Sequence, residues 1–186
     1  MIGLDEVGRG PWAGPLLVCA VRLHKNIIGL KDSKKLSKTQ RLKLNDQIIQ
    51  SADIGYGWVS ASQIDEIGLA VSIRLGFRKA YEDIAIDDIE SIIIDGGIDY
   101  LDMPNSIAII KADDNYPAVS AASIVAKVKR DEYMTDLANI YPGYGFDKHV
   151  GYGTFGHMSA LQKYGTTPEH RRSFKPIAKI LQRYTV

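Results

Sequence analysis

The sequence contains one cysteine in 186 residues, two tryptophans and four phenylalanines. A single thiol excludes an internal disulfide framework and a cysteine-rich zinc module. Cys19 lies inside the apolar run "LLVCAV" and reads as a small core residue. No apolar run approaches the ~20 residues a membrane span requires. No basic-then-apolar leader is visible either, because the first residues read as a strand carrying acids. A cytoplasmic protein without a membrane partner is expected. Low-complexity tracts, internal repeats and Pro/Ser-rich linkers are missing as well, so one domain over residues 1–186 is expected, with about 141–186 as a loop-rich, basic helical tail. No interface signature stands out, and a monomer is the expectation.

Net charge is also nearly missing, at +1, but it is unevenly spread. Residues 22–43 carry eight Lys/Arg against one acid, and residues 65–102 carry ten acids against three bases. From Tyr141 onward there are seven Lys/Arg, two acids, three of the four histidines and five of the ten tyrosines. Solvated faces of different sign would give such a pattern. A basic, aromatic-rich tail also suits phosphate tracking combined with base or sugar stacking. Near-neutral totals therefore leave a nucleic-acid partner open, provided the attraction is local.

Residues 1–6 and 15–23 read as two strands joined by a turn with Gly10, Pro11 and Gly14, which makes an antiparallel pair. Ser37 and Gln40 have capping-box spacing before a helix with Leu44, Ile48 and Ile49 on one apolar face. "IGYGWVSA" reads as a strand, and Ser62 is placed to cap a helix with Ile64, Ile67, Val71 and Leu75 on its buried face. "SIIIDGG" at 91–97 suits a strand buried on both faces, and 106–113 repeats the pattern of an apolar run ending in an acid. Ala121, Ile124, Val125 and Val128 mark a helix lying on a sheet, with small residues that allow close approach. The order β-β-α-β-α-β-β-α with a helical tail implies an α/β domain with a mixed central sheet flanked by helices.

Three of these strands are expected to stop at carboxylates: Asp5-Glu6, Asp95 and Asp113. Ligand sites of α/β sheets lie at strand ends, where distant positions converge. Four carboxylates in one place cannot all stay ionised without a cation. His149 and His157, read as lying in a glycine-rich loop, are poorly placed for zinc, and an all-oxygen donor set favours Mg²⁺ or Mn²⁺. Two such ions ~4 Å apart can activate a water and stabilise a leaving oxygen, so metal-assisted phosphodiester hydrolysis is the reaction that fits. Neighbouring strand residues face opposite ways, so either the strand bends after Asp5 or Glu6 reaches the site from its rim. Gly8-Arg9-Gly10 beside the acids lets bare backbone approach a ligand and inspect a ribose 2′-hydroxyl. Lys34 and Lys35 in "DSKKLS" are available to neutralise phosphates, and the helix start near Ser120 offers N–H groups for another. Asp131 is expected to be a helix-surface ion-pair partner rather than a ligand.

The segments "GLDEVGRGPWAGPL", "KDSKKLS", "IIIDGG", "KADDNYPAVSAASIVAKVKRD", "HVGYGTFGH" and "HRRSF" together resemble the ribonuclease HII family, the type 2 ribonucleases H, from residue 2 to about 176. The resemblance implies a ribonuclease H-like fold with a C-terminal helical region and dependence on Mg²⁺ or Mn²⁺. It also implies RNA–DNA hybrids and ribonucleotide-containing duplex DNA as substrates, cut 5′ of the ribonucleotide. By the same resemblance, Asp5, Glu6, Asp95 and Asp113 are the catalytic, metal-holding acids, and Gly8, Arg9 and Gly10 read the 2′-hydroxyl. Tyr152 is the ring that packs on the deoxyribose after the ribonucleotide, and Lys34, Ser120, Ser123 and Arg171 lie near the substrate backbone. Val150 departs from the family, which commonly carries lysine there. A short N-terminal extension and a sliding-clamp-binding peptide are not expected. Gly-Arg-Gly in place of the Gly-Lys-Gly of type 3 enzymes favours cleavage at single ribonucleotides. Two other readings stand beside this one: another nuclease of the same fold without a 2′-hydroxyl reader, and a non-catalytic nucleic-acid-binding module.

Overall fold

A computed structural model describes residues 1–85 and 91–183; Tyr184, one of the tail tyrosines, lies outside them. Five strands form one mixed sheet: β1 (Ile2–Val7), β2 (Leu16–Leu23), β3 (Ala52–Val59), β4 (Ile92–Asp95) and β5 (Ser106–Ile109), in the spatial order β3-β2-β1-β4-β5. β1 and β2 are antiparallel, as the short turn between them requires, and β3 continues the meander. β4 and β5 run parallel to β1 on its other side. The pairing of β1 with β4 ends at Leu4 and Ile94, whereas its pairing with β2 continues to Val7. The two parallel strands therefore separate just where Asp5, Glu6 and Asp95 follow.

Alternation along β1 and β2 feeds two apolar layers. Ile2, Leu4, Leu16, Val18 and Ala20 join Ile73, Phe77 and Ala80 of helix α3 (Leu69–Asp83) on one face. Leu17, Cys19 and Val21 join Ala121, Ala122, Ile124 and Val125 of helix α4 (Pro117–Ile140) on the other, together with Leu44 and Ile48 of α1 (Lys38–Ile49). Ile92, Ile93 and Ile94 are buried, as a strand covered on both sides should be. The small residues of α4 do allow close approach: a Cβ on Gly3 would overlap the backbone of Ala118 and Val119.

The capping box of α1 forms as expected, with the Ser37 hydroxyl accepting from the Gln40 N–H, but Ile49, one step round the helix from the buried Ile48, is exposed rather than on the apolar face. The next helix departs from expectation. Its cap is Ser60, not Ser62, because Gln63 sits three residues after Ser60 and closes a reciprocal capping box. That helix, α2 (Ala61–Ile67), stops at Gly68, whose φ of 78° breaks the run before α3 begins. Ile67 and Val71 are exposed as a result, and the buried face is carried by Ile64, Ile73 and Phe77. β5 is also shorter than expected. The chain leaves the sheet after Ile109 and passes through Lys111 at φ 58°, so Asp113 lies in a 3-10 turn, Ala112–Asp114.

The tail forms three further helices, α5 (Phe146–His149), α6 (Phe155–Tyr164) and α7 (Lys175–Arg183). Phe146, Ala160, Leu161, Ile177 and Ile180 pack with Met134 and Leu137 of α4 and with Ala13 of the β1–β2 turn. Residues 12–14 are bonded directly to the tail: Trp12 donates its N–H to Gly151, Gly14 to Glu169, and Arg171 donates its N–H to Trp12. No helix among the described residues is long and apolar enough to cross a membrane.

Candidate active site

The site is assembled at the end of β1. Because β1 stays in register with β2 through Val7, its side chains keep alternating, and Asp5 falls on the α4 face with Gly3 and Val7. Glu6 falls on the opposite face, with Ile2 and Leu4. The strand does not bend between the two acids; Glu6 reaches the site from its rim, past the end of the β1–β4 ladder. Asp95 ends β4, and its Oδ1 accepts the Ala112 N–H at 2.8 Å, which ties β4 to the turn holding Asp113. The Ser120 hydroxyl donates to the Asp113 carbonyl at 2.5 Å and fixes the same turn from α4.

The charge of Asp95 acts on each of the other three acids. Burial raises the Asp5 carboxyl well above the usual carboxylate range, the charges of Glu6 and Asp95 raise it further, and a hydrogen bond with Ser123 opposes them. Burial also raises Glu6 against the opposing pull of Arg9, and Asp95 adds to the rise. Asp113, buried, is raised by desolvation and then by the charges of Asp95, Asp32 and Asp114, with Lys34 pulling the other way. Asp95 is thus the common neighbour of the other three.

The donor chemistry fits a hard divalent cation: four carboxylates whose mutual repulsion bound positive charge would relieve, while the Cys19 thiol opposite Asp5 is buried and held protonated. Protein donors engage three of these carboxylates. The Glu6 N–H donates to Asp5 Oδ1 at 2.7 Å, Arg9 Nη1 donates to Glu6 Oε1 at 3.0 Å, and Ala112 holds Asp95. Among the described residues, no three His, Cys, Asp or Glu side chains are drawn together at metal-holding spacing as they stand.

The Gly8-Arg9-Gly10 turn follows β1 directly. Gly8 has φ 91°, and a Cβ there would run into the Arg130 guanidinium. The turn is held from behind by Arg171, fully buried, whose guanidinium donates to the carbonyls of Gly8 (2.6 Å), Arg9 (3.0 Å) and Gly14 (2.9 and 3.0 Å). Arg130, also fully buried, donates to Pro15 (2.9 Å), Val150 (3.0 Å) and Ala13 (3.2 Å). Burial lowers Arg130 to about 10 and Arg171 to about 9, and neither has a carboxylate partner among these bonds. Tyr152 is half-exposed, and its ring edge lies 3.5 Å from where a Gly10 Cβ would stand. The two sugar-reading segments expected from sequence are therefore neighbours.

Other expected residues land differently. Arg171 is fully buried and spends its side chain on the carbonyls of the turn. The Ser120 N–H is taken by the Tyr116 carbonyl, since the helix begins three residues earlier at Pro117, so no free N–H is left at Ser120 for a phosphate. Ser123 bonds Ser33 Oγ at 2.9 Å and lies beside Asp5. Lys34 is exposed on the 3-10 turn Ser33–Lys35, where its charge opposes the rise of Asp113, and Lys35 beside it pairs with Asp114. Asp131 pairs with Lys127 at 2.8 Å, one helical turn away, as expected. His149 and His157 belong to helices rather than a loop, and with His170 they form a tight ring cluster. Arg130 was not singled out from sequence, although it falls four residues after Ala126 and seven after Ser123, on the buried stripe of α4.

The family model for ribonuclease HII matches residues 2–177. The chain belongs to the ribonuclease HII family. It is 44% identical over 182 residues to the ribonuclease HII of Jannaschia sp., covering 96% of this chain and 91% of that one. It is 41% identical over 182 residues to the ribonuclease HII of Staphylococcus saprophyticus, covering 96% and 70%. Its fold superimposes on the crystal structure of the ribonuclease H2 from Pyrococcus horikoshii with a TM-score of 0.81 and 31% identity, over 99% of this chain and 98% of that one. The fold is ribonuclease H-like, and the chain is a hydrolase, a metal-dependent endoribonuclease of the ribonuclease H type. The binding-module reading is thereby set aside.

Proposed function

We propose that the enzyme cuts the phosphodiester bond on the 5′ side of ribonucleotides, both in RNA–DNA hybrids and at single ribonucleotides embedded in duplex DNA. The products carry 3′-hydroxyl and 5′-phosphate ends. In the cell this serves ribonucleotide excision repair and RNA primer removal, performed in the cytoplasm by a monomer built as one catalytic domain. The observation that carries the reading is the meeting, at the end of β1, of an acid cluster with a bare turn and an adjacent half-exposed tyrosine.

Asp5, Glu6, Asp95 and Asp113 would hold the ions, Mg²⁺ or Mn²⁺. When bound, the ions would orient and acidify an attacking water and stabilise charge on the leaving oxygen. The carboxylates must be ionised to bind a cation, and the raised Asp5, Glu6 and Asp113 make occupancy rise with pH. Backbone groups of Gly8, Arg9 and Gly10 inspect the 2′-hydroxyl, and Tyr152 packs on the following deoxyribose. Lys34 neutralises a substrate phosphate. Ser120 and Ser123 act next to the acids they hold, and Arg171 acts through the turn.

The test is cleavage of a DNA duplex carrying one ribonucleotide, with Mg²⁺ or Mn²⁺, beside the same duplex in all-DNA form. One cut 5′ of the ribonucleotide with the control intact is expected. Cleavage of both duplexes would remove the 2′-hydroxyl reader from this account, and cleavage of neither would overturn it.

A further inference from the structure

Three histidines occupy the tail close to Tyr152. His157 and His170 are fully buried, and their rings meet edge to edge with Nε2 to Nε2 at 3.0 Å. His157 Nδ1 lies 2.9 Å from the Tyr152 carbonyl, which can only accept. That nitrogen must therefore carry the proton, leaving His157 Nε2 bare. His170 must then donate from Nε2, and its Nδ1 is left to accept from the Thr167 N–H at 2.9 Å and the Thr167 hydroxyl at 2.9 Å. Every partner agrees with this one arrangement of protons, and it runs in one direction, from Thr167 to Tyr152.

The pair spans the two segments that read the sugar. His157, on α6, is bonded to the backbone of Tyr152. His170 pairs across a β-bridge with Ala13 and directly precedes Arg171, whose guanidinium holds the carbonyls of Gly8 and Arg9. The His149 ring stacks on that of His157 with centroids 4.5 Å apart, and Phe146 meets it edge-on at 5.6 Å. Burial lowers both His157 and His170 to about 4, so the neutral arrangement holds throughout the neutral range. Among the described residues, no acid is a hydrogen-bond partner of either ring.

We propose that His157 and His170 are a positioning pair: their shared hydrogen bond fixes the distance between Tyr152 and the Gly8-Arg9-Gly10 turn. It thereby sets how strongly the enzyme prefers a ribonucleotide followed by deoxyribose over a uniform RNA–DNA hybrid. This rests on the reading of Tyr152 and the turn as sugar readers given above.

The experiment measures kcat and KM of the full chain on a one-ribonucleotide duplex and on a uniform hybrid, with Mg²⁺, for His170→Gln, His170→Asn, His157→Asn and Tyr152→Ala. Glutamine at 170 keeps a donor at the ε position and so keeps the link. Asparagine at 170 keeps only the Thr167 side of it. Asparagine at 157 keeps the bond to Tyr152 and loses the link. The ratio of kcat/KM between the two substrates should fall about fivefold in His170→Asn and His157→Asn, the scale of one buried hydrogen bond. It should stay within about twofold of wild type in His170→Gln, with kcat on the uniform hybrid little changed in all three. An unchanged ratio in both asparagine variants would overturn the proposal. So would an equal loss in His170→Gln, or a parallel fall on both substrates. If His170→Asn does not fold, as judged by its thermal melt, His157→Asn decides alone. Tyr152→Ala separates the two levels. If it leaves the ratio unchanged, the sugar-reading role of Tyr152 fails and the pair's role with it. If it lowers the ratio while the asparagine variants do not, only the pair's role fails.

Discussion

Arg171 Nη2 donates to the carbonyl of Gly8 at 2.6 Å, joining residues 163 positions apart and fastening the turn beside the acids to the tail. Three carbonyls depend on this one guanidinium. Arg171→Met should therefore lower stability by about 3 kcal/mol through orphaned carbonyls and lost charge-assisted bonds. It should also cut kcat/KM on a one-ribonucleotide duplex by about tenfold or more. Arg171→Lys should restore little of either, because an ammonium cannot reach a fork of three acceptors. Urea unfolding and steady-state kinetics check both; full rescue by lysine would contradict the fork.

Asp5 is held above its usual range by burial first and by Glu6 and Asp95 after that. A carboxyl whose folded pKa is raised costs stability at every pH where the folded form must ionise, and costs nothing where both states are protonated. Asp5→Asn should thus raise the melting temperature of metal-free enzyme by about 2–4 °C near pH 7.5, with the gain fading as pH falls toward the unfolded carboxylate value. The same variant should lose at least about a hundredfold in cleavage, and added Mg²⁺ should stabilise it less than wild type. A variant no more stable than wild type at neutral pH would mean that the acid cluster carries no strain.

The buried imidazoles work in the opposite direction. His157 and His170 titrate at about 4 in the folded state against about 6.5 unfolded, so the unfolded chain takes up their protons first. Their contribution is complete above about pH 6.5 and is lost as pH falls toward about 4. The raised acids gain stability over part of that range, so the informative quantity is a difference. Wild type minus His170→Gln, measured by urea unfolding from pH 7 to 4.5, should shrink steadily with acidification. A difference independent of pH would count against neutral, buried rings.

Gly3 faces the first turn of α4 with no room for a Cβ between it and the backbone of Ala118 and Val119. Gly3→Ala should cost about 3 kcal/mol, at the upper end of overpacking penalties, because the obstruction is backbone and cannot swing aside. A denaturant midpoint unchanged within error would show that α4 can shift outward freely.

Much of this protein is legible in the order of its residues. The alternation of β1 and β2, the Ser37–Gln40 capping box and the small-residue stripe of α4 are local patterns with local causes, and they gave strands and helices close to the observed ones. Asp5, Glu6, Asp95 and Asp113 stood out because acids at the ends of apolar runs have no reason to be there in a plain core. Where expectation and structure part, competing local signals decided the outcome. Gln63 selected Ser60 over Ser62 as the cap, and Gly68 divided one helix into two. The turn at Lys111 took Asp113 out of β5.

What the sequence determined by itself is the set of short-range choices and the chemistry of the motifs, since both depend on residues within a turn or a strand of one another. Only the tertiary structure decided which side chains meet. Arg171 looks like any basic residue of a basic tail, yet it is buried 163 residues from the Gly8 carbonyl it holds. Arg130 was a helix residue among charged neighbours until α4 lay along β1 and carried it beneath the turn. His157 and His170 became one hydrogen-bonded unit only when the tail closed on residues 12–14. Such contacts are fixed by packing and by the need to satisfy buried polar groups, and neither can be counted until the chain is folded.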